Sequence, residues 1–497
     1  MKNKVSLLNM ISGLILQICT MISGFILPRI ILLNFGSDVN GLVSSLSQFL
    51  SYINLLEGGI TSVILANLYK PLAEGNQEKI NSIVTVAKKF FDQIGIIFIV
   101  YSIIVACIYP VVFNVKFDYF YVWSLTIILS ISLSVQCLFS LTLRTLLNAD
   151  KKVYIVSFSQ TVIVILNIFF VYISTLLYPS IHLVKFLGGM LYIIQPWLYG
   201  RYVKKHYEID WNARPDKNLI KDRWNGFAIN FAAFIHNSTD ITILTIFTNL
   251  QTVSIYSVYN MITYALRQLI SGMTSGINST IGHAYVQGNN KELNEKLDLY
   301  EYIVFLLVSF LFTATALLLM PFVMIYTDRV NDANYYQPLF GILLVISEAS
   351  YLIKFPHLNL AYAANKFKEI TTPACIEAIV NIVISLILVK QYGIKGVAVG
   401  TIVAMLYRMV FHVYYTSKII PNRPQYIFYR KLLIFLSTSV AIYFACTWII
   451  PINNYTVLNW VLHAIAYCTF LGIAFLLVSK IFFDNELRYF IRYLKRR

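Results

Sequence analysis

The sequence predicts an all-α membrane protein. About fourteen transmembrane helices form two six-helix lobes, related by a pseudo-twofold axis along the membrane normal, with two further C-terminal helices. Three observations carry this. The composition is that of a chain dissolved in lipid. The basic residues fall in every second loop. Short stretches of the first half recur in the second at a nearly constant offset.

Hydrophobic residues make up 58% of the 497 residues and charged residues only 12%, with a mean hydropathy of +0.68. A soluble domain carries roughly twice that charge. The unit to count is therefore the apolar stretch of about 20 residues that crosses a bilayer. After Lys2 and Lys4 the chain is apolar from Val5 to Phe35. That run is too long for a signal-peptide core and reads as a retained first span. Cys19, Cys107, Cys137, Cys375, Cys446 and Cys468 all lie in apolar stretches. None has zinc-site or disulfide-framework spacing.

The predicted spans are 7–33, 41–68, 91–113, 119–147, 153–178, 182–203, 225–248, 252–284, 301–326, 336–364, 371–389, 395–417, 431–450 and 457–482. The termini and the even-numbered loops hold 29 of the 39 Lys and Arg, including Arg201, Lys204, Lys205, Arg423 and Lys431. The opposite loops and their flanks hold five: Lys116, Lys185, Arg329, Lys390 and Lys395. This bias places basic loops and both termini in the cytoplasm, and an odd number of spans would break it. The net charge of +16 thus belongs to a surface facing anionic lipid headgroups, not to a nucleic-acid interface. The basic tail from Arg488 to Arg497 reads as an amphipathic interfacial anchor. The outward loops are too short for an external domain, the longest being about nine residues around 327–335.

The internal repeat is visible residue by residue. An offset of 213 places Thr61-Ser62 on Thr274-Ser275, Gly75-Asn76 on Gly288-Asn289 and Asn81 on Asn294. Offsets of 214 and 215 place Asn167-Ile168 on Asn381-Ile382, and Ala149 and Lys151 on Ala364 and Lys366. Spans 1–6 and 7–12 therefore read as two copies. Six is even, so both copies enter the membrane in the same sense, a parallel repeat of the kind that carries substrate between its halves. The expected division is an N-lobe at 1–205, a cytoplasmic linker at 206–223, a C-lobe at 224–420, and spans 13–14 with the basic tail at 421–497.

Ionisable residues inside the hydrocarbon are costly and mark functional positions or partners. The candidates are Arg29, Glu57, Arg144, Asp240, Arg267, Glu348, Lys354, Glu377 and Arg408. Arg267 lies about 22 Å into span 8 at 1.5 Å per residue, with Asp240 and Glu348 at similar depth. Arg144 lies close enough to the cytoplasmic end of its span to snorkel. Arg408 and Glu377 are candidates to pair with one another, and Arg267 with Asp240. A lumen Arg suits a phosphate, because its planar fork matches two oxygens. Arg29 and Arg267 are the candidate substrate-binding cations. Glu57, Asp240 and Glu348 are the candidate coupling carboxylates, since burial raises a carboxyl pKa toward the working range. His236 and His357 read as structural histidines. Pro28, Pro196, Pro321 and Pro356 interrupt spans and kink helices.

Pro28-Arg29, the stretch Gly58-Gly59-Ile60-Thr61 to Leu72-Ala73-Glu74-Gly75-Asn76, Asn148-Ala149-Asp150-Lys151-Lys152 and the 6+6+2 layout together carry a resemblance. The whole chain resembles the Wzx-type polysaccharide-biosynthesis flippases of the multidrug/oligosaccharidyl-lipid/polysaccharide (MOP) exporter superfamily. The resemblance implies that an undecaprenyl-diphosphate-linked oligosaccharide passes from the cytoplasmic to the outer leaflet of the bacterial cytoplasmic membrane by alternating access, for capsule or O-antigen synthesis. It implies a lipid-linked oligosaccharide as passenger, with a polysaccharide polymerase and glycosyltransferases as possible partners. In the related lipid II flippases the two extra spans form a groove for the lipid tail, and the same is expected of spans 13–14.

Two other classes stay open. A cationic-drug antiporter of the same superfamily would favour an acidic lumen. A lipid-linked glycosyltransferase or polymerase would need acidic metal motifs or substantial external loops. Outside there are only Asp38, Asp118, Asp328 and Asp332. No nucleotide loop, nucleophile elbow or metal-ligand run is present. The expectation is a transporter that is not an enzyme, with no cofactor and with coupling to H+ or Na+.

Overall fold

The structure is a computed structural model, and it describes residues 2–113, 116–214, 234, 238–421 and 423–495. Within them every element is helical. Helices α1 (Lys2–Leu50), α2 (Asn54–Glu74), α3 (Gln77–Val112), α4 (Tyr119–Val135), α5 (Leu141–Ala149), α6 (Val153–Leu177), α7 (Ile181–Met190) and α8 (Ile194–His206) lead to α9 (Ser238–Phe247). Then come α10 (Leu250–Val286), α11 (Asn290–Tyr326), α12 (Pro338–Ile353), α13 (Phe355–Ala363), α14 (Phe367–Tyr392), α15 (Ile394–Ile419), α16 (Tyr426–Ile449), α17 (Val457–Phe482) and α18 (Asp484–Lys495).

Eleven stretches are long and apolar enough to cross a membrane. The first, Lys4–Glu74, has 71 residues, about 106 Å of helix at 1.5 Å per residue, enough for two crossings. It breaks at Gly36, whose φ of 81° and ψ of 177° only glycine adopts without strain, and again at a 3-10 turn, Ser51–Ile53. Read as two crossings, it brings the count among the described residues to twelve; α9, with ten residues, and α10 are not among the eleven stretches, and most of the expected span 225–248 lies outside the described residues. The helix faces fit lipid. In α3 the buried positions Phe91, Ile94, Phe98, Ser102, Ala106 and Tyr109 recur at helical spacing. The opposite positions, Ile97, Val100, Ile104 and Val111, are exposed and just as apolar. A helix apolar all round belongs in a bilayer.

The chain forms two compact units, Met1–Ser254 and Ile255–Arg497. In unit 1, α3 and α5 pack around Phe91, Phe98, Leu146 and Leu147, with Tyr199 of α8. In unit 2, Phe305 of α11, Phe435 of α16 and Phe475 of α17 form a stacked aromatic column. The sequence places the division between lobes in the loop 206–223, of which residues 215–223 lie outside the described residues, as do Lys217, Lys221, Arg223 and His236. The unit boundary falls later because the chain after that loop binds α1. Ser45 and Thr245 hydroxyls are 2.8 Å apart, Tyr52 and Thr242 hydroxyls 2.8 Å, and the Asn40 amide donates to Ser254 at 2.7 Å. Gly41 packs so closely on the Leu250 carbonyl that a Cβ would overlap it.

Each unit contains the same local structures at the repeated positions. Gly75 and Gly288 both have positive φ, 67° and 69°. In each unit the next residue caps the following helix, Asn76 accepting from Lys79 N and Asn289 from Glu292 N. Lys151 and Asn365 both adopt left-handed backbone, φ 58° and 56°. The surrounding bonds Asp150 N to Leu146 O, Lys151 N to Asn148 O and Lys152 N to Leu147 O recur as Ala364 N to Leu360 O, Asn365 N to Tyr362 O and Lys366 N to Ala361 O. The offset at this turn is therefore 214. Lys152, not Lys151, is the counterpart of Lys366.

Candidate functional site

The intramembrane charges of unit 2 converge on α12. Arg267 of α10 is 8% exposed and Glu348 of α12 is 6% exposed. Arg267 Nη1 donates to Glu348 Oε1 at 3.4 Å and lies 3.3 Å from Oε2, which has no hydrogen-bond partner of its own. The guanidinium rests on two aromatic faces, 4.9 Å from the ring centre of Tyr264 and 5.1 Å from that of Tyr351, a favourable setting for a desolvated cation. The carboxylate beside Arg267 is thus Glu348 of its own unit. Asp240, the other candidate partner, is buried on α9 of unit 1.

Tyr351 links this pair to a second group. Lys354 ends α12 where the chain breaks before Pro356, and its ammonium lies 4.3 Å from the Tyr351 ring centre. Lys354 Nζ is 3.6 Å from Glu377 Oε2, and Arg408 Nη1 donates to the same oxygen at 3.0 Å. The expected Arg408–Glu377 pair is therefore present, across α15 and α14. One turn further along α15, His412 Nε2 accepts from Arg408 Nε at 2.7 Å, so this histidine is neutral with its proton on Nδ1. Among the described residues of this cluster, the three formal positive charges of Arg267, Lys354 and Arg408 share two carboxylates, Glu348 and Glu377. Two buried cations sharing one carboxylate are incompletely compensated, and an anion arriving there is favoured.

The outer flank of the same helix is different in kind. Val345, Ile346, Ala349 and Ile353 of α12, with Phe312 of α11 and Leu436 of α16, wall an apolar groove of about 340 Å³. Ser309, Thr313 and Ser439 are its main polar groups apart from Tyr443. One helix thus carries the apolar groove on one side and the cationic cluster on another.

A third group was not legible as a site. Glu301 and Lys431 are wholly buried, although the charge pattern counts Lys431 and Arg423 among cytoplasmic loop residues. Arg423 Nη2 donates to Glu301 Oε1 at 2.7 Å and to Asp298 Oδ1 at 2.9 Å. Lys431 Nζ donates to Glu301 Oε2 and Asp298 Oδ1, each at 2.8 Å. His357 Nε2 is 3.2 Å from Glu301 Oε1, and its Nδ1 is 2.8 Å from the Thr416 hydroxyl. Burial works against the charge of Arg423, but Glu301 and Asp298 outweigh it and raise its pKa above the ordinary value. Two cations and two carboxylates balance here, so the network is a neutral clamp tying α16 to α11. The i, i+3 spacing of Asp298 and Glu301 was the signal in the sequence, since it puts both on one helix face.

In unit 1 the candidate residues stand apart. Arg29 is half-buried one residue after Pro28 in α1. Glu57 is half-buried on α2, and the charge acting on it is Arg144 of α5, which pairs the two electrostatically. Among the described residues no group of His, Cys, Asp and Glu is arranged to hold a metal ion.

No protein-family model matches the sequence, and comparison with curated proteins gives no match. Solved structures do match. The lipid II flippase MurJ in an inward closed conformation superposes with a TM-score of 0.74 at 15% identity, over 97% of this chain and 100% of that one. The chain therefore shares the fold of that flippase along nearly its whole length. A multidrug resistance MATE family transporter in its inward-facing conformation gives a TM-score of 0.65 at 14% identity, over 81% of this chain and 96% of that one. The Vibrio cholerae MATE transporter VcmN in its bent form gives 0.57 at 10% identity, over 86% and 99%. These neighbours are transporters and flippases. With the many apolar helices, the shared fold makes this a multi-pass membrane protein.

Proposed function

We propose that the protein is a flippase for an undecaprenyl-diphosphate-linked oligosaccharide of the polysaccharide-biosynthesis, Wzx-type class. The observation that supports this reading is the double character of α12. Its Glu348, Tyr351 and Lys354 belong to a buried cluster in which three cations share two carboxylates, and its Val345, Ile346 and Ala349 line an apolar groove. A lipid diphosphate needs both surfaces at once. The polyprenyl chain lies in the groove walled by α11, α12 and α16, and the diphosphate draws on Arg267 and Lys354, with Arg29 the candidate cation of the other unit. Exchange of hydration for guanidinium and ammonium groups keeps the diphosphate solvated through the crossing. Glu57, Asp240 and Glu348 serve as coupling carboxylates for H+ or Na+. The setting is the bacterial cytoplasmic membrane with both termini cytoplasmic, among anionic lipids, with a polymerase and glycosyltransferases as neighbours in the pathway and no nucleic acid.

A cationic-drug antiporter is the second reading, favoured by the buried carboxylates Glu348, Glu377 and Asp240. One experiment separates the two. The protein is expressed in a strain lacking its polysaccharide flippase and in a strain lacking its cationic-dye exporters. Restored surface polysaccharide with unchanged dye accumulation is the expected result. Lowered dye accumulation without restored polymer would overturn the flippase reading.

A further inference from the structure

Lys185 carries a site that none of the above uses. The charge pattern counts it as an outer flank residue. In the structure it is the fifth residue of α7, about 6 Å along the helix at 1.5 Å per residue, and it borders a cavity of about 140 Å³ inside unit 1. The walls come from four helices. Leu27 and Ile31 belong to α1, Ile128, Leu129 and Ser132 to α4, Asn167 and Val171 to α6, and Val184, Gly188 and Gly189 to α7, with Tyr192 just beyond it. Among the described residues the side chains of Lys185, Asn167 and Tyr192 make no hydrogen bond or ion pair. The Ser132 hydroxyl reaches only its own helix, at Leu129 O. No carboxylate lines the cavity.

The packing builds this arrangement. A Cβ at Gly188 would lie 2.7 Å from Asn167 Oδ1, so glycine is what lets α6 and α7 approach closely enough to hold the amide at the wall. The cavity is separate from Arg29. Leu27 and Ile31 are four residues apart and share a face of α1, whereas Arg29, two residues from each, projects from nearly the opposite face.

We propose that this cavity binds a small anion. Lys185 supplies the charge, and the Asn167 amide, the Tyr192 hydroxyl and the Ser132 hydroxyl supply donors. A site offering donors, one positive charge and no acceptor carboxylate selects an anion over a cation. The cavity has room for an ion the size of chloride or one phosphate group with a few waters. The same chemistry serves a free ion or the phosphate of a lipid headgroup. It holds whatever the transported substrate is.

The test is thermal unfolding of the purified full-length protein in detergent, in sodium gluconate, with chloride, inorganic phosphate or phosphatidylglycerol titrated in. A saturable rise in Tm of about 1–3 °C is expected. Lys185→Met and Asn167→Leu abolish it, and Lys185→Arg retains it. Saturation by chloride or phosphate assigns a free ion, and a response confined to phosphatidylglycerol assigns a headgroup. Both variants favour an apolar interior, so loss of folding does not mask the result. No saturable response of the wild type, or equal responses of wild type and Lys185→Met, would overturn the site.

Discussion

Arg267 and Glu348 form a buried pair, 3.3 Å apart, on helices α10 and α12, with the guanidinium lying on the rings of Tyr264 and Tyr351. A structural and a transport role for this pair give different outcomes. Arg267→Ala leaves Glu348 uncompensated and costs about 3–5 kcal/mol. The double variant Arg267→Met with Glu348→Gln removes both charges and recovers most of that stability. If Arg267 also holds the passenger, the double variant folds and does not transport. Fluorescence-detected size exclusion reads the folded fraction, and complementation of a flippase-deficient strain reads transport. Full complementation by the folded double variant excludes the binding role. Arg267→Lys keeps the charge without the fork and retains partial function.

The clamp around Glu301 is structural, and it behaves differently. Lys431→Ala leaves Arg423 alone to balance both Asp298 and the wholly buried Glu301, for a loss of about 3–5 kcal/mol. The pair Lys431→Met with Glu301→Gln leaves Arg423 matched to Asp298 and unfolds at a higher temperature than Lys431→Ala. Activity per folded molecule stays near normal in the double variant. Thermal unfolding in detergent checks the order, and the reverse order removes the clamp as the explanation.

Glu57, Asp240 and Glu348 are the candidates to titrate during transport. Asn or Gln at whichever of them carries the coupling ion flattens the pH dependence of transport per folded molecule. The measurement is initial transport rate against pH for each variant, normalised to folded protein. Unchanged profiles in all three would falsify carboxylate coupling at these positions.

The topology is open to a direct check. With a cysteine-free background, an impermeant thiol reagent added to intact cells labels Asp332→Cys, in the outward loop, and leaves Asn212→Cys unlabelled until the membrane is opened. Both positions are exposed, so access alone separates them. Labelling of both from outside, or the reverse pattern, refutes the assignment of termini to the cytoplasm.

The sequence by itself determined the class of the molecule, its crossings and its repeat. Each depends on properties carried by local stretches of chain. Twenty apolar residues span a bilayer whatever they pack against. Gly75 and Gly288 announce a left-handed helix end because only glycine takes that conformation without cost. The same locality made Asn76 and Asn289 readable as equivalent caps. Tertiary structure decided which charges meet. Arg267 stands 81 residues from Glu348 and Glu301 stands 130 from Lys431, and no local pattern reports the rotation of one helix about its axis relative to another. Lys185 shows the limit most plainly. Its position near a span end reads as an outer flank, but the register of α7 against α4 and α6 turns its side chain to an internal cavity. Burial is a property of neighbours brought together by folding, so the chain order could name the cations and carboxylates but could not pair them.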